Sequence, residues 1–99
     1  MGGPYGLKQE KTMKAFVIII NEVVDFDKFV HEPIVCATKD VAQREYNRII
    51  AEVKEAYASE IDDGWEVNES DDCFETYPEG GYSGNHYSAA IYEVEVVSE

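Results

Sequence analysis

The stretch from Lys39 to Ser59, KDVAQREYNRIIAEVKEAYAS, decides the fold class. Its apolar residues recur at spacings of three and four, which places them on one face of an amphipathic helix. They are Ala42, Tyr46, Ile49, Ile50, Val53, Ala56 and Tyr57. Either Thr38 or Asp40 can cap the start, and Gln43 follows Asp40 at the spacing of a partial capping box. The pattern predicts one helix from about Lys39 to Ser59, whose apolar stripe must pack against another element.

Four apolar segments flank this helix and have the composition of β-strands. The first, KAFVIIINEVV at 14–24, is rich in β-branched residues, which is typical of a strand that is buried on both faces or lies centrally under a helix. The others are IVCA at 34–37, CFETY at 73–77 and SAAIYEVEVV at 88–97. The stretch NEVVDFDKFVHEP at 21–33 mixes acidic and apolar residues without a clear period and predicts a loop or an irregular hairpin arm. Trp65 and Val67 are predicted to cover one end of the core.

The order of these segments is strand, strand, helix, strand, strand. It predicts an α+β fold in which one amphipathic helix packs on a mostly antiparallel four-stranded sheet. With 99 residues the chain has the length of one domain. Residues 1–12 are predicted to be a flexible leader, either native or added for expression, and residues 13–99 to form a single domain.

The N-terminal residues and the apolar runs bear on location. Residues 1–12, MGGPYGLKQEKT, contain no apolar signal segment. The longest unbroken apolar run is Ala15 to Ile20, whereas a membrane-spanning helix needs about 20 residues. We therefore expect a cytoplasmic protein that does not bind membranes, with Cys36 and Cys73 as reduced thiols.

Acidic residues dominate the charge of the chain and are concentrated in its second half. The 21 Asp and Glu residues give a net charge of −13 against 8 Lys and Arg residues, and every Lys and Arg lies at or before Lys54. Such segregation predicts a field of one sign over part of the surface. The carboxylates predicted to form an acidic binding face are Glu60, Asp62, Asp63, Glu66, Glu69, Asp71, Asp72, Glu75 and Glu79. The first three fall at the predicted C-terminal end of the helix, where the helix dipole prefers cations.

Residues 80–88, GGYSGNHYS, contain His86, one of the two histidines of the chain. Gly80-Gly81 and Gly84-Asn85 favour turns, and no Ser-His-Asp or Cys-His motif accompanies the histidine. We interpret the segment as a bend between two strands with no catalytic residue, and we expect the protein not to be an enzyme. The alternative is a ligand-contact or catalytic loop at 78–88, with Tyr82, Asn85 and His86 as the contacts.

Metal, cofactor and nucleic-acid sites are not expected. His31, Cys36, Cys73 and His86 lack the close spacing of zinc ligands, and DDGWEVNESDD at 62–72 lacks the ligand order of an EF-hand. The tyrosines of the second half could stack on bases, but that half has no cation to hold a phosphate. We therefore predict no metal, no cofactor and no direct contact with nucleic acid.

The segments ATKDVAQREY (37–46), GWEV (64–67) and YSGNHYSAAIYEVEV (82–96) together resemble small uncharacterised acidic α+β proteins of bacterial genomes, phages and mobile elements. The resemblance covers roughly Met13 to Val97. It implies no catalytic residues, and it implies a small accessory or inhibitor protein.

Two functions from different classes remain. The first is a non-enzymatic acidic binding protein that engages a basic protein surface, as a mobile-element inhibitor that mimics the charge of nucleic acid would do. The alternative is a small-ligand-binding or catalytic domain that uses the loop at 78–88 around His86. Solubility alone would also explain an acidic surface, and the sequence leaves the oligomeric state open.

Overall fold

The computed structural model of the chain describes residues 11–81 and 84–98. In chain order its elements are β1 (Lys11–Val24), β2 (Asp27–Val30), β3 (Ile34–Cys36), α1 (Lys39–Ala56), α2 (Ala58–Asp62), β4 (Glu66–Glu69), β5 (Cys73–Tyr77) and β6 (His86–Ser98). The α+β class, the main helix and the mostly antiparallel sheet are as predicted. The sheet of the described residues has six strands, however, and not four. None of the helices in this part of the chain is long and apolar enough to cross a membrane.

The sheet is built on the long antiparallel pair of β1 and β6, which pair from Lys11 opposite Ser98 to Val23 opposite His86. The strand order is β2-β1-β6-β5-β4, and β3 also pairs with β1, on the same edge as β2. β3 reaches only residues 16–18 of β1, and β5 reaches only residues 87–90 of β6. Residues 11–15 and 92–98 therefore extend beyond their neighbours as a two-stranded ribbon.

The two faces of the sheet differ in what covers them. Side chains alternate between the faces along each strand. Ile18 and its partner Ile91 lie on the face against which α1 packs, here called the helix face. Val17 and its partner Tyr92 lie on the opposite face, which neither helix covers and which is here called the open face.

The core lies between α1 and the helix face. The helix buries Ala42, Tyr46, Ile49, Ile50 and Val53 of the predicted stripe. Four of them, all except Ala42, pack on Ile18, Phe74, Tyr87 and Ala89 of the sheet. Burial of each large apolar side chain contributes about 1.5–3 kcal/mol, so this interface supplies most of the stabilisation. Of the two predicted caps, Thr38 is used, because its side chain accepts a hydrogen bond from the Val41 N–H at 3.2 Å.

The predicted helix is divided into two. α1 ends at Ala56, Tyr57 follows in a non-helical conformation, and the single turn of α2 begins at Ala58. The last turn of α1 contains Lys54, the cation that the dipole prefers. The prediction that Glu60, Asp62 and Asp63 lie at the C-terminal end of the main helix is therefore wrong. Glu60 lies in the first turn of α2, and Asp62 and Asp63 lie at the C-terminal end of α2.

The two strands that the sequence did not predict are short edge strands. β2 and β4 have four residues each, and all of these are exposed. A strand without a buried side has no alternating apolar pattern from which to predict it. Val67 lies in β4 and is exposed, whereas Trp65 packs on the ring of Tyr57 at a centroid distance of 5.5 Å.

Candidate functional site

The nine predicted carboxylates lie along the β4 edge of the sheet, on both of its faces. By strand register, Glu66 and Glu75 lie on the open face. Glu69 lies on the helix face, where its Oε1 atom is 2.7 Å from Lys54 Nζ. The other carboxylates lie in α2 and in the turns at the two ends of this edge. We call the whole set the acidic edge.

The turn at residues 70–72 of the acidic edge is held firmly against α1. Tyr46 Oη donates a hydrogen bond to the Ser70 carbonyl at 3.1 Å, and Gln43 Nε2 donates to the Asp71 carbonyl at 2.8 Å. The Ser70 N–H donates to the Cys73 carbonyl at 2.8 Å, which closes the hairpin between β4 and β5. The backbone of the turn is thus fixed while the Asp71 side chain stays exposed.

A groove of about 500 Å³ opens between this turn, the first half of α1 and β6. Its charged lining residues are Asp71, Asp72, Glu93 and Lys39, so carboxylates outnumber cations. Concave surfaces of one sign focus the electrostatic field and attract opposite charge. We call this the acidic groove. Glu93, which was not among the predicted binding residues, contributes to it while also lying 2.9 Å from Lys14 Nζ.

The pKa of the Tyr46 phenol is raised by burial and by the charges of the turn to which Tyr46 is hydrogen-bonded. Burial raises the pKa of Tyr46 well above its ordinary value, and the neighbouring Cys73, Glu69, Asp72 and Asp71 raise the pKa further. A negative charge on the Tyr46 phenol is disfavoured because it would lie close to the charges of these neighbouring carboxylates. Tyr46 therefore stays protonated and remains the hydrogen-bond donor that holds the Ser70 carbonyl.

The predicted bend at 80–88 contains the connection from β5 to β6 and the first residues of β6. Two of its described residues form hydrogen bonds with the turn between β1 and β2. Asn85 Oδ1 accepts the Asp25 N–H at 2.9 Å, and the Gly84 carbonyl accepts the Phe26 N–H at 2.8 Å. Asp25 and Phe26 form the turn between β1 and β2 with positive φ angles of 53° and 68°, a region that residues other than glycine adopt uncommonly. Gly84 has a φ of +91°, and the Phe26 ring occupies the position that a Cβ atom would need.

Of the other two predicted loop contacts, His86 lies within the described residues. His86 is the first residue of β6 and lies on the open face opposite Val23. Tyr82 lies outside the described residues. Asn85 thus has a structural contact, and His86 is placed away from the acidic groove.

A second concave site lies on the helix face and includes the other histidine. The Glu22 carboxylate accepts a hydrogen bond from Tyr57 Oη at 2.6 Å, and its other oxygen lies 2.8 Å from His31 Nε2. Tyr87 packs on both rings, edge-on to His31 and tilted against Tyr57. These residues line a cavity of about 330 Å³ together with Arg48. We call it the histidine cavity.

The histidine cavity has the polar groups of a binding site. A carboxylate that orients an imidazole is half of a general-base arrangement. Among the described residues that line the cavity, however, there is no Ser, Thr or Cys to act as a nucleophile. The sequence did not predict this pair, because the β1–β2 hairpin brings Glu22 and His31 together. The available signal was Glu22, the one carboxylate within the strand segment 14–24.

The soft metal ligands named from the sequence lie on both faces of the sheet. Cys36 pairs with Phe16 on the helix face, whereas Cys73 pairs with Ala90 on the open face. Over residues 11–81 and 84–98, no three His, Cys, Asp or Glu side chains converge to hold a metal ion.

No family model, curated protein or solved structure matches the chain. The fold and the two concave sites define an acidic two-layer α+β protein, and its function is inferred from those sites.

Proposed function

We propose that this protein is a non-enzymatic, cytoplasmic binding protein whose acidic groove receives Lys or Arg side chains of a basic protein partner. The acidic groove at the 70–72 turn is the observation that carries the proposal. It offers Asp71, Asp72 and Glu93 in a concave surface, next to the exposed edge strand β4. The turn is held by Tyr46 and Gln43 before any partner arrives, so little ordering is needed on binding.

The expected binding is strongly dependent on salt. A single exposed ion pair contributes only about 0.2–1 kcal/mol, so useful affinity requires several pairs spread along the acidic edge. Complementary charge chiefly raises the association rate and the specificity. A partner would therefore bind fast at low ionic strength and dissociate when salt is added.

The class of partner follows from the sign and spread of the charge. A protein that handles nucleic acid presents Lys and Arg side chains to phosphates. The carboxylates of the acidic edge would occupy that cationic surface in place of phosphates. The resemblance to small acidic proteins of phages and mobile elements supports such an inhibitory role.

The test compares two variants that each lose two negative charges. The groove pair is Asp71→Asn with Asp72→Asn, and asparagine at position 72 keeps the oxygen that accepts the Ser70 hydroxyl at 3.2 Å. The control pair is Asp25→Asn with Asp27→Asn, which are exposed residues around the β1–β2 turn. A partner captured from host lysate at low salt should bind the groove pair about tenfold more weakly, the effect of about 1.4 kcal/mol, and should bind the control pair as it binds the wild type.

Equal weakening by the two pairs would contradict the groove, because it would mean that only net charge matters. Capture that persists at high salt would contradict the electrostatic basis of the proposal. The dissociation constants are measured by calorimetry with the purified partner.

The histidine cavity favours a second function, the binding of a small molecule with a polar head and an apolar body. The cavity is lined by the polar side chains of Glu22, His31 and Arg48 and by apolar side chains that include Ile49 and Val53. Its volume of about 330 Å³ is near the lower limit of ligand sites. This small-molecule site includes His31, whereas the alternative function predicted from the sequence used the loop around His86. A compound that raises the melting temperature of the wild type, and not of His31→Ala, would support it.

A further inference from the structure

The open face of the sheet carries an apolar patch. Its members come from four strands, and most of them are adjacent through the strand register, whereas Val23 and Val30 lie beyond the polar pair of Asn21 and Ser88. They are Met13, Ala15, Val17, Ile19 and Val23 of β1, Val30 of β2, Val35 of β3, and Ala90, Tyr92, Val94 and Val96 of β6. Met13, Val30, Val35 and Tyr92 are each more than half exposed. We call this set the apolar patch.

The composition of β1 does not fit a strand with one solvated face. An antiparallel strand with one wet face alternates apolar and polar residues. β1 instead has Val17 and Ile19 on the open face between Phe16, Ile18 and Ile20 on the helix face. A continuous β-branched run is the composition of a strand covered on both sides. One side is covered by α1, and the other needs a second layer.

Charge distribution separates the open face of the central strands from the rest of the molecule. The open-face positions of β1 and β6, from Met13 to Val23 and from His86 to Val96, include no Asp, Glu, Lys or Arg. The helix-face positions of the same strands include Lys14, Glu22, Glu93 and Glu95. In a chain with a net charge of −13, this uncharged strip is compatible with contact to another apolar surface. The charged residues of the open face lie at its margins, Lys28 on β2, Glu66 on β4 and Glu75 on β5.

We propose that the apolar patch is the interface of a homodimer in which two copies of this chain stack their sheets back to back about a two-fold axis. A second copy supplies the same uncharged surface, as an isologous interface requires. Stacked sheets lie about 10 Å apart, and α1 with the acidic groove of each copy lies on the outer side. The acidic grooves are thus further apart than the Debye length of about 8 Å at physiological salt, so their charge does not oppose this mode of association. Of the acidic edge, Glu66 and Glu75 lie on the open face, at the margin of the apolar patch.

The size of the patch is sufficient for a reversible dimer. From Met13 to Val23 the uncharged part of the open face, which includes the polar residues Asn21, Ser88 and His86, extends for about 33 Å, and three strands give it a width of about 14 Å. Two copies therefore cover a projected area of about 900 Å², and the accessible area of a pleated surface is larger. A biological interface buries about 1,000 Å² or more in total. This places the dimer among the smaller, concentration-dependent assemblies.

The test uses two matched valine substitutions in the full chain. Val94 on the open face is 36% exposed and Val67 on the helix face of β4 is 38% exposed, so lysine at either site adds the same charge at similar exposure. Sedimentation equilibrium over micromolar to submillimolar concentrations should give twice the chain mass of 11.2 kDa for the wild type. Val67→Lys should dimerise like the wild type, and Val94→Lys should stay monomeric with an unchanged circular dichroism spectrum.

Cys73 gives an independent readout without any substitution. It is exposed and lies beside Ala90 on the open face, whereas Cys36 is buried. Its alkylation rate should fall several-fold as the protein concentration rises through the dimerisation range, and it should not fall in Val94→Lys. A wild type that sediments as a monomer at every concentration would overturn the proposal, as would a dimer that Val94→Lys leaves intact. Neither result depends on a basic partner, so each is distinct from failure of the acidic groove.

Discussion

Glu22 contacts residues that are 9 and 35 positions away in the chain. A half-buried carboxylate is costly unless donors satisfy it. Tyr57 Oη and His31 Nε2 supply the two contacts, one on each carboxylate oxygen. Glu22 is therefore tolerated within a β-branched strand. The end of α1 brings Tyr57 within hydrogen-bond distance of its carboxylate. Burial raises the pKa of the Tyr57 phenol, and the hydrogen bond to Glu22 raises it further.

Three tyrosines should make the fold sensitive to alkali. Burial raises the pKa of Tyr87 to about 12, with smaller contributions from Glu22 and Glu52. Burial also raises the pKa values of Tyr46 and Tyr57 well above the ordinary range. In the unfolded chain a tyrosine ionises near pH 10. Stability is therefore fully present below about pH 10 and falls as the pH rises, because the unfolded chain then releases protons that the folded chain retains.

The urea midpoint, measured from about pH 8 to about pH 12, should fall through this window. Tyr87→Phe should flatten the fall, since one buried phenol is removed without changing the ring. A midpoint that declines equally in Tyr87→Phe would show that the Tyr87 hydroxyl does not contribute.

At the scale of elements, α1 and its contact with the helix face dominate stability. Ile50 is 4% exposed and belongs to the core cluster. Ile50→Ala should lower the free energy of unfolding by about 2–4 kcal/mol, because it removes buried methyl groups and leaves a cavity. Val41 lies on the same helix and is 38% exposed, so Val41→Ala should have an effect of less than about 1 kcal/mol. Equal effects in chemical denaturation would mean that the stripe is not the buried side of the helix.

The elements with a buried side were predictable from the sequence, and those without one were not. Strand β5 at residues 73–77 and five of the seven predicted stripe residues appear where the pattern predicted them, whereas Ala56 is exposed and Tyr57 lies beyond the end of α1. β2 and β4 form through backbone pairing at sheet edges with every side chain exposed, so their sequences contain no alternation. The break at Tyr57 was missed because Ala56 and Ala58 favour a continuous helix. At the end of α1, Tyr57 contacts Glu22, which is 35 positions away in the chain, and local propensity does not predict such a contact.

The candidate sites were only partly predictable for the same reason. Asp71 and Asp72 were predicted from the charge run, but the acidic groove also needs Glu93, which arrives from β6. His31 was considered only as a metal ligand, and its pairing with Glu22 depends on the register of the β1–β2 hairpin. Composition indicates which charges are present, whereas tertiary pairing decides which of them share a concave surface.

At the scale of the whole molecule, the net charge of −13 should oppose folding at low salt. Folding brings the carboxylates of the acidic edge closer together than they are in the open chain. Screening shortens the Debye length from about 30 Å at 0.01 M to about 8 Å at 0.15 M. The melting temperature should therefore rise over this range of sodium chloride. A fall would mean that ion pairs such as Lys54–Glu69 and Arg48–Glu52 outweigh the repulsion.

The central claim is that the carboxylates of the 70–72 turn are kept for binding although they oppose stability. One paired measurement tests it, the melting temperature of the free groove pair (Asp71→Asn with Asp72→Asn) beside its affinity for the captured partner. We predict opposite signs, because removal of two crowded charges stabilises the free protein while it removes contacts with the basic surface. Raised stability with unchanged affinity would contradict the claim and would leave the acidic edge as a solvated surface.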